Sequence, residues 1–247
     1  MKNNYIIFGG TSLISYELIK KLEKKKNSDN HYLVFCRNKK KFFNFFNNKM
    51  KETNSSKISI FETDINNIKK VFDFLIQIKQ KFNINGLFFL VGDSSNLENN
   101  FINEFETQLI FETNLINPVK IINFITEHMM NTGFVAVITS MAGIRGRKLR
   151  MHYCSAKAGL ISYLSGLRQK LFDKGIKVID LRAGYIKTEK FNIKSFNLLI
   201  SSPQEVAELI CDAIKKNKKT VYTKFIWSLV SIILQLIPES IFQKLKF

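Results

Sequence analysis

Short apolar runs recur along the chain, each followed by a longer stretch with helical spacing, and this alternation narrows the possible architectures more than any other feature. The runs "YIIF", "YLVF", "ISIF", "GLFFLV", "FVAVITS", "IKVIDL" and "TVYT" read as strands. Several are apolar without a break, as strands buried on both faces are. Helical patterns fall near 12–26, 39–49, 66–82, 101–112, 115–131, 152–174 and 203–217. The sequence therefore predicts an α/β fold, a single-domain Rossmann-like doubly wound parallel sheet with helices on both faces and ligands at the carboxyl ends of the strands. No Pro/Gly/Ser-rich linker divides the 247 residues, so one domain is expected over 1–222, with a C-terminal amphipathic tail over 223–247.

Charge bounds the partners. With 38 Lys and Arg against 20 Asp and Glu the formal net charge is +18, which suits nucleic acid, an anionic membrane surface or an anionic substrate. A lysine-rich solvated surface gives the same sum, and stretches such as "KKKFFNFFNNKMK" read as amphipathic helix. No nucleic-acid-binding motif is present, so no nucleic-acid partner is expected. Cys36, Cys154 and Cys211 form no CxxC pair, which argues for a reducing compartment with neither a disulfide framework nor a metal site. The apolar stretch in "MKNNYIIFGG" is too short for a signal peptide, so a cytoplasmic location is expected.

The first strand runs into "GGTSLIS". Gly9 and Gly10 form a turn, Thr11 and Ser12 cap a helix over Leu13 to Glu23, and backbone amides at such a turn can approach a pyrophosphate. Gly-Gly before Thr-Ser also makes an ordinary turn and cap. Where a site for NAD would carry an acid after strand two, this chain has Arg37, followed by Lys39 and Lys40. A cation there suits a 2′-phosphate, which favours NADP(H) over NAD(H), unless Arg37 is one more surface cation. Asp64 and Gly92 punctuate the ends of strands three and four.

Tyr153 and Lys157 stand one helical turn apart, so they share a face. A neighbouring ammonium favours a phenolate and is expected to lower the Tyr153 pKa towards neutrality, as an acid that protonates an alkoxide requires. Lys157 can also hold the nicotinamide ribose hydroxyls. Tyr16 and Lys20 repeat the spacing by chance; context separates Tyr153. Ser140 ends the strand "FVAVITS" thirteen positions earlier, near enough for a loop to bring both hydroxyls to one carbonyl oxygen.

These residues resemble the short-chain dehydrogenase/reductase family over nearly the whole chain: the glycine turn, Asp64, Gly92, Asn114 in "FETNLINP", Ser140, "YCSAK" and "RAGYIKT". The resemblance implies a catalytic set of Asn114, Ser140, Tyr153 and Lys157, with Asn114 holding a backbone kink and a water in a proton relay to Lys157. It also implies a cofactor site built from Gly9, Thr11, Ser12, Leu13, Ile14, Arg37, Asp64, Gly92, Tyr153, Lys157, Ile186 and Thr188. Leu13 and Ser15 depart from the family's glycines, and Ala183-Gly184 from its Pro-Gly. The first two are expected to narrow the pyrophosphate site, and a non-catalytic dinucleotide-fold binding protein is an alternative.

Within the family, "SMAGIRGRKLRMHYCSAKAGL" with "GGTS" most resembles the decaprenylphosphoryl-2-keto-ribose reductases. That resemblance implies reduction of a keto-sugar on a polyprenyl phosphate, after a separate flavoprotein oxidase. The family implies dimers or tetramers. Arg145 and Arg147, with Lys148 and Arg150 beside them, are candidates to grip the phosphate. The competing expectation is a reductase of 3-oxoacyl chains or other hydrophobic ketones. An apolar flap is expected over 189–201. The tail "FIWSLVSIILQLI" is too short to span a bilayer and is expected to lie at the inner face of the membrane, with Trp227 at headgroup depth and Lys215, Lys216, Lys218, Lys219 and Lys224 facing anionic lipid. Its alternatives are an oligomer interface or a lid.

Overall fold

The computed structural model describes residues 3–24, 29–49, 57–92, 103–187 and 198–245. Its centre is a sheet of β1 (Asn3–Phe8), β2 (Asn30–Cys36), β3 (Ile58–Glu62), β4 (Ile84–Phe89), β5 (Met129–Ser140), β6 (Lys177–Ala183) and β9 (Thr220–Tyr222), in the order β3-β2-β1-β4-β5-β6-β9. Every neighbouring pair is parallel, so each connection crosses over through helix. The order reverses between β1 and β4, which opens a crevice at their carboxyl ends.

The two-residue period of the strands divides the core. Ile6, Phe8, Leu33, Phe35, Leu87, Phe89, Val135 and Val137 pack on one face, with α3 (Ile68–Lys81), α5 (Asn117–Glu127) and α6 (Met151–Lys170). Ile7, Val34, Phe88, Ala136, Ile138 and Leu181 pack on the other, with α1 (Leu13–Glu23), α2 (Lys39–Lys49) and α7 (Pro203–Lys215). Phe8 stacks on its β2 partner Phe35 at 4.2 Å and on its β4 partner Phe89 at 5.3 Å, so an aromatic layer underlies the crevice. A further helix, α4 (Glu104–Phe111), starts on an Asn103 capping box and runs into a π-helical turn, Glu112–Ile116.

Beyond β6, the two-residue strands β7 (Tyr185–Ile186) and β8 (Ile200–Ser201) pair in parallel. The tail forms α8 (Phe225–Leu236) and the single turn α9 (Glu239–Phe242), both docked on the domain. Trp227 is not at a water-facing headgroup position: its indole donates to the Leu199 carbonyl at 3.0 Å and lies against Gly184, where a Cβ would come within 2.0 Å of Nε1. Several lysines expected to face lipid are paired instead, Lys224 with Glu205, and Lys216 and Lys218 with Asp212. Tyr222 donates to Ser231 on α8 and accepts from Arg182, which is ion-paired to the fully buried Asp180. Thus a polar chain runs from the sheet to the tail beside the Trp227 contact.

Candidate active site

The glycine turn closes against β4 and β2. Gly9 sits at φ +91°, and a Cβ there would lie 2.8 Å from the Leu90 carbonyl oxygen; at Gly10 it would meet Val34 at 2.3 Å. Only glycine permits this approach of β1 to its neighbours. Ser12 caps α1, its hydroxyl accepting from Ile14 N–H, while Thr11 and Leu13 stay partly exposed around the turn. Ser15 does not narrow the groove as expected, because it is fully buried and donates to the Gly9 carbonyl at 2.8 Å. Arg37, Lys39 and Lys40 are exposed at the end of β2. Asp64 accepts from Asn66 N–H and shapes the turn after β3.

The catalytic candidates come from three elements. Ser140 ends β5, and its hydroxyl accepts from Ala142 N–H at 3.1 Å, which leaves its own proton to donate beside Tyr153. Tyr153 and Lys157 rise from one face of α6, with the Lys157 ammonium 5.7 Å from the Tyr153 ring centre. Asn114 lies in the π-helical turn and donates to the Ile110 carbonyl at 3.0 Å. In an uninterrupted α-helix that carbonyl would take the Asn114 backbone N–H; the bulge leaves it for the side chain. A Cβ on Gly92 would stand 3.1 Å from Lys157 Nζ and 3.9 Å from Asn114 Oδ1, so the end of β4, the lysine and the asparagine meet at one point. At Gly9, Gly10 and Gly92 the missing side chains let the backbone turns pack closely against Leu90, Val34 and Lys157. Tyr16 and Lys20 reproduce the lysine-to-ring distance at 5.8 Å, but Tyr16 is in the core behind α1.

Two glycines bring these elements together. A Cβ on Gly143, in the turn after Ser140, would stand 2.8 Å from the Lys157 carbonyl carbon and 2.9 Å from Ala158 N. Gly159 lets α6 approach Leu115 of the π-helical turn, to 2.9 Å from a Cβ position. Neither is marked in the sequence, where Gly143 reads as loop and Gly159 as a weak point in a helix.

Electrostatics reverse one expectation. Burial pushes the Tyr153 hydroxyl above its ordinary pKa, opposed by the Ser140 hydrogen bond and the charges of Arg150 and Arg147; it is not drawn towards neutrality by Lys157. Lys157 is itself 1% exposed, and burial lowers its ammonium to about 8.

The arginine loop divides. Arg145 is engaged by the tail: its guanidinium donates to the Leu234 carbonyl at 2.7 Å, the Ile237 carbonyl at 2.5 Å and the Glu239 carboxylate at 2.6 Å, with the Phe242 ring 3.9 Å away. Carbonyls at the end of a helix attract a cation, and this one locks the loop to the tail. Arg147 stays beside Tyr153, and its buried Nε has no hydrogen-bond partner among the described residues. Lys148 is exposed. Ile186 lies in β7, partly buried, whereas Thr188 and most of the expected flap fall outside the described residues. Among the described residues no cluster of metal-binding side chains occurs, and no helix is long and apolar enough to cross a membrane.

The short chain dehydrogenase family pattern matches residues 3–195. The ketoacyl reductase HetN of Nostoc sp. is 33% identical over 122 residues, covering 47% of this chain and 42% of that protein. An uncharacterized oxidoreductase of Mycobacterium tuberculosis is 26% identical over 138 residues, covering 55% of each. The chain thus spans about half the length of the curated relatives it matches. Among solved structures, ElxO with NADP bound superposes with a TM-score of 0.77 at 20% identity, covering 93% of this chain and 100% of that one. At that identity the likeness is one of fold.

Proposed function

The chain belongs to the short-chain dehydrogenase family, and from that premise we propose that it is an NADP(H)-dependent oxidoreductase reducing a ketone on a hydrophobic substrate to an alcohol. The reading is carried by the convergence of Ser140, Tyr153, Lys157 and Asn114 beside the glycine turn. When bound, the dinucleotide supplies a hydride to the carbonyl carbon. Gly9, Thr11, Ser12, Leu13, Ile14 and Gly92 line its course. Arg37, Lys39 and Lys40 stand where a 2′-phosphate needs cations, and ElxO carries NADP on the same fold.

Ser140 donates a hydrogen bond to the carbonyl oxygen, and Tyr153 gives that oxygen its proton. The buried hydroxyl keeps this proton at neutral pH. As it leaves, Arg150 and Arg147 favour the phenolate that remains. Lys157, with its ammonium at about 8, holds the next proton close to the pKa at which it is easily passed on. Asn114 orients that end of the relay from the π-helical turn.

HetN, a ketoacyl reductase, supports an acyl ketone as substrate. A second reading, a keto-sugar on a polyprenyl phosphate delivered by a flavoprotein oxidase, is favoured by Arg147, whose unpartnered Nε lies near the acid. In either reading the protein works in the cytoplasm as a dimer or tetramer. NADPH oxidation with a 3-oxoacyl thioester and with a keto-sugar polyprenyl phosphate separates the two. Tyr153→Phe should cut turnover on the active substrate by about 10²-fold or more, and unchanged turnover overturns the mechanism. Arg147→Ala should lower kcat/KM on both substrates, and several-fold further on the phosphate-bearing one.

A further inference from the structure

The tail helix is amphipathic in the reverse sense for a helix that meets water. Ser231 is buried and bonded to Tyr222, and Trp227 is turned inward onto Leu199. Phe225, Leu229, Ile232, Ile233 and Leu236 are instead exposed, at 79, 45, 55, 57 and 75%. Their spacing places them on one stripe about 100° wide, which a water-facing helix would make polar. Ile241 and Leu245 beyond it are exposed as well. Through Arg145 the stripe is joined to the loop after Ser140, where Leu149 and Met151 are exposed.

Charge selects what covers this face. Beside the stripe, the loop from Met141 to Arg150 carries Arg147, the exposed Lys148 and Arg150 and no acid; in 222–247 the one acid, Glu239, is held by Arg145. We infer that the outer face of α8, with the Arg145 loop beside it, docks on an anionic lipid surface. A second copy of the chain docked at this face would bring the same acid-poor segments face to face. Lipid takes up the apolar stripe and attracts the cations together. Twelve residues extend only about 18 Å, short of the roughly 30 Å hydrocarbon core, so the helix lies in the plane of the interface. Contact is made by this apolar stripe and not by Trp227.

Co-sedimentation of the full chain with vesicles tests this without reference to the reaction. It should bind an equimolar mixture of phosphatidylglycerol and phosphatidylcholine and not phosphatidylcholine alone. The double variant Ile232→Ser/Ile233→Ser should bind the anionic vesicles at least about tenfold more weakly. Should the double variant fail to give the native circular dichroism spectrum, Leu236→Ser provides the same comparison. Absence of binding to anionic vesicles, or binding that the variants do not weaken, overturns the inference. So does self-association in sedimentation velocity that the variants abolish while vesicle binding is absent.

Discussion

Replacing Lys157 by Met should make the protein more stable at neutral pH while destroying its activity, and the gain should shrink as pH rises. The ammonium falls from its ordinary 10.5 to about 8 because burial disfavours the charged form. A folded pKa below the unfolded one means that the unfolded chain binds the proton more tightly. Stability linked to this group is therefore full above about 10.5, is lost as pH falls towards about 8, and stays lost below it. The 2.5-unit gap, 10.5 minus 8, at about 1.4 kcal/mol per unit is a penalty of about 3 kcal/mol near pH 7. Near pH 9.5 the unfolded chain keeps about one unit of advantage, or about 1 kcal/mol. Methionine fills the same channel without a charge to desolvate. Urea unfolding of both proteins at the two pH values gives two stability differences, and their difference cancels the other lysines and tyrosines. It should be about 2 kcal/mol, with Lys157→Met the more stable near pH 7. A stability difference that does not change with pH, or a less stable variant near pH 7, would refute the assignment of Lys157 as a desolvated cation.

Gly143→Ala places a Cβ 2.8 to 2.9 Å from backbone atoms of α6 that cannot yield, so the Ser140 loop must shift; kcat should fall by about 10- to 100-fold with a stability loss of about 1–3 kcal/mol in thermal unfolding. Trp227→Ala removes the side chain that donates to Leu199 and packs on Gly184, and steady-state kinetics should show KM rising more than kcat falls. Asp180→Ala strands Arg182 and leaves Thr139 without its carboxylate partner, and should cost about 3–5 kcal/mol in denaturant unfolding.

The sheet was legible because strands buried on both faces need unbroken apolar runs, and "GLFFLV" or "FVAVITS" can satisfy little else. Ser140, Tyr153 and Lys157 were legible because the chemistry needs a fixed helical spacing and one strand end. The kink at Asn114 came only from the family resemblance, since one extra residue in a helix leaves no mark in periodicity. Gly143 and Gly159 were not legible, because their need for glycine arises from elements that meet only in three dimensions. The sign of the Tyr153 shift depends on burial, which spacing does not report. The tail partners of Arg145 were hidden for a related reason: a cation between two catalytic residues suggests a ligand, but these partners lie 89 to 94 positions away.

That separation has a consequence for synthesis. When Lys157 has left the ribosome, every catalytic group has been made, yet the carbonyls and the carboxylate that fasten the Arg145 loop are still uncoded into chain. At about 5–20 residues per second, the roughly ninety residues from Arg145 to its partners take on the order of 5 to 20 s. For that interval the loop between Ser140 and Tyr153 is unfastened, and the Arg145 guanidinium is without the partners that hold it in the finished fold.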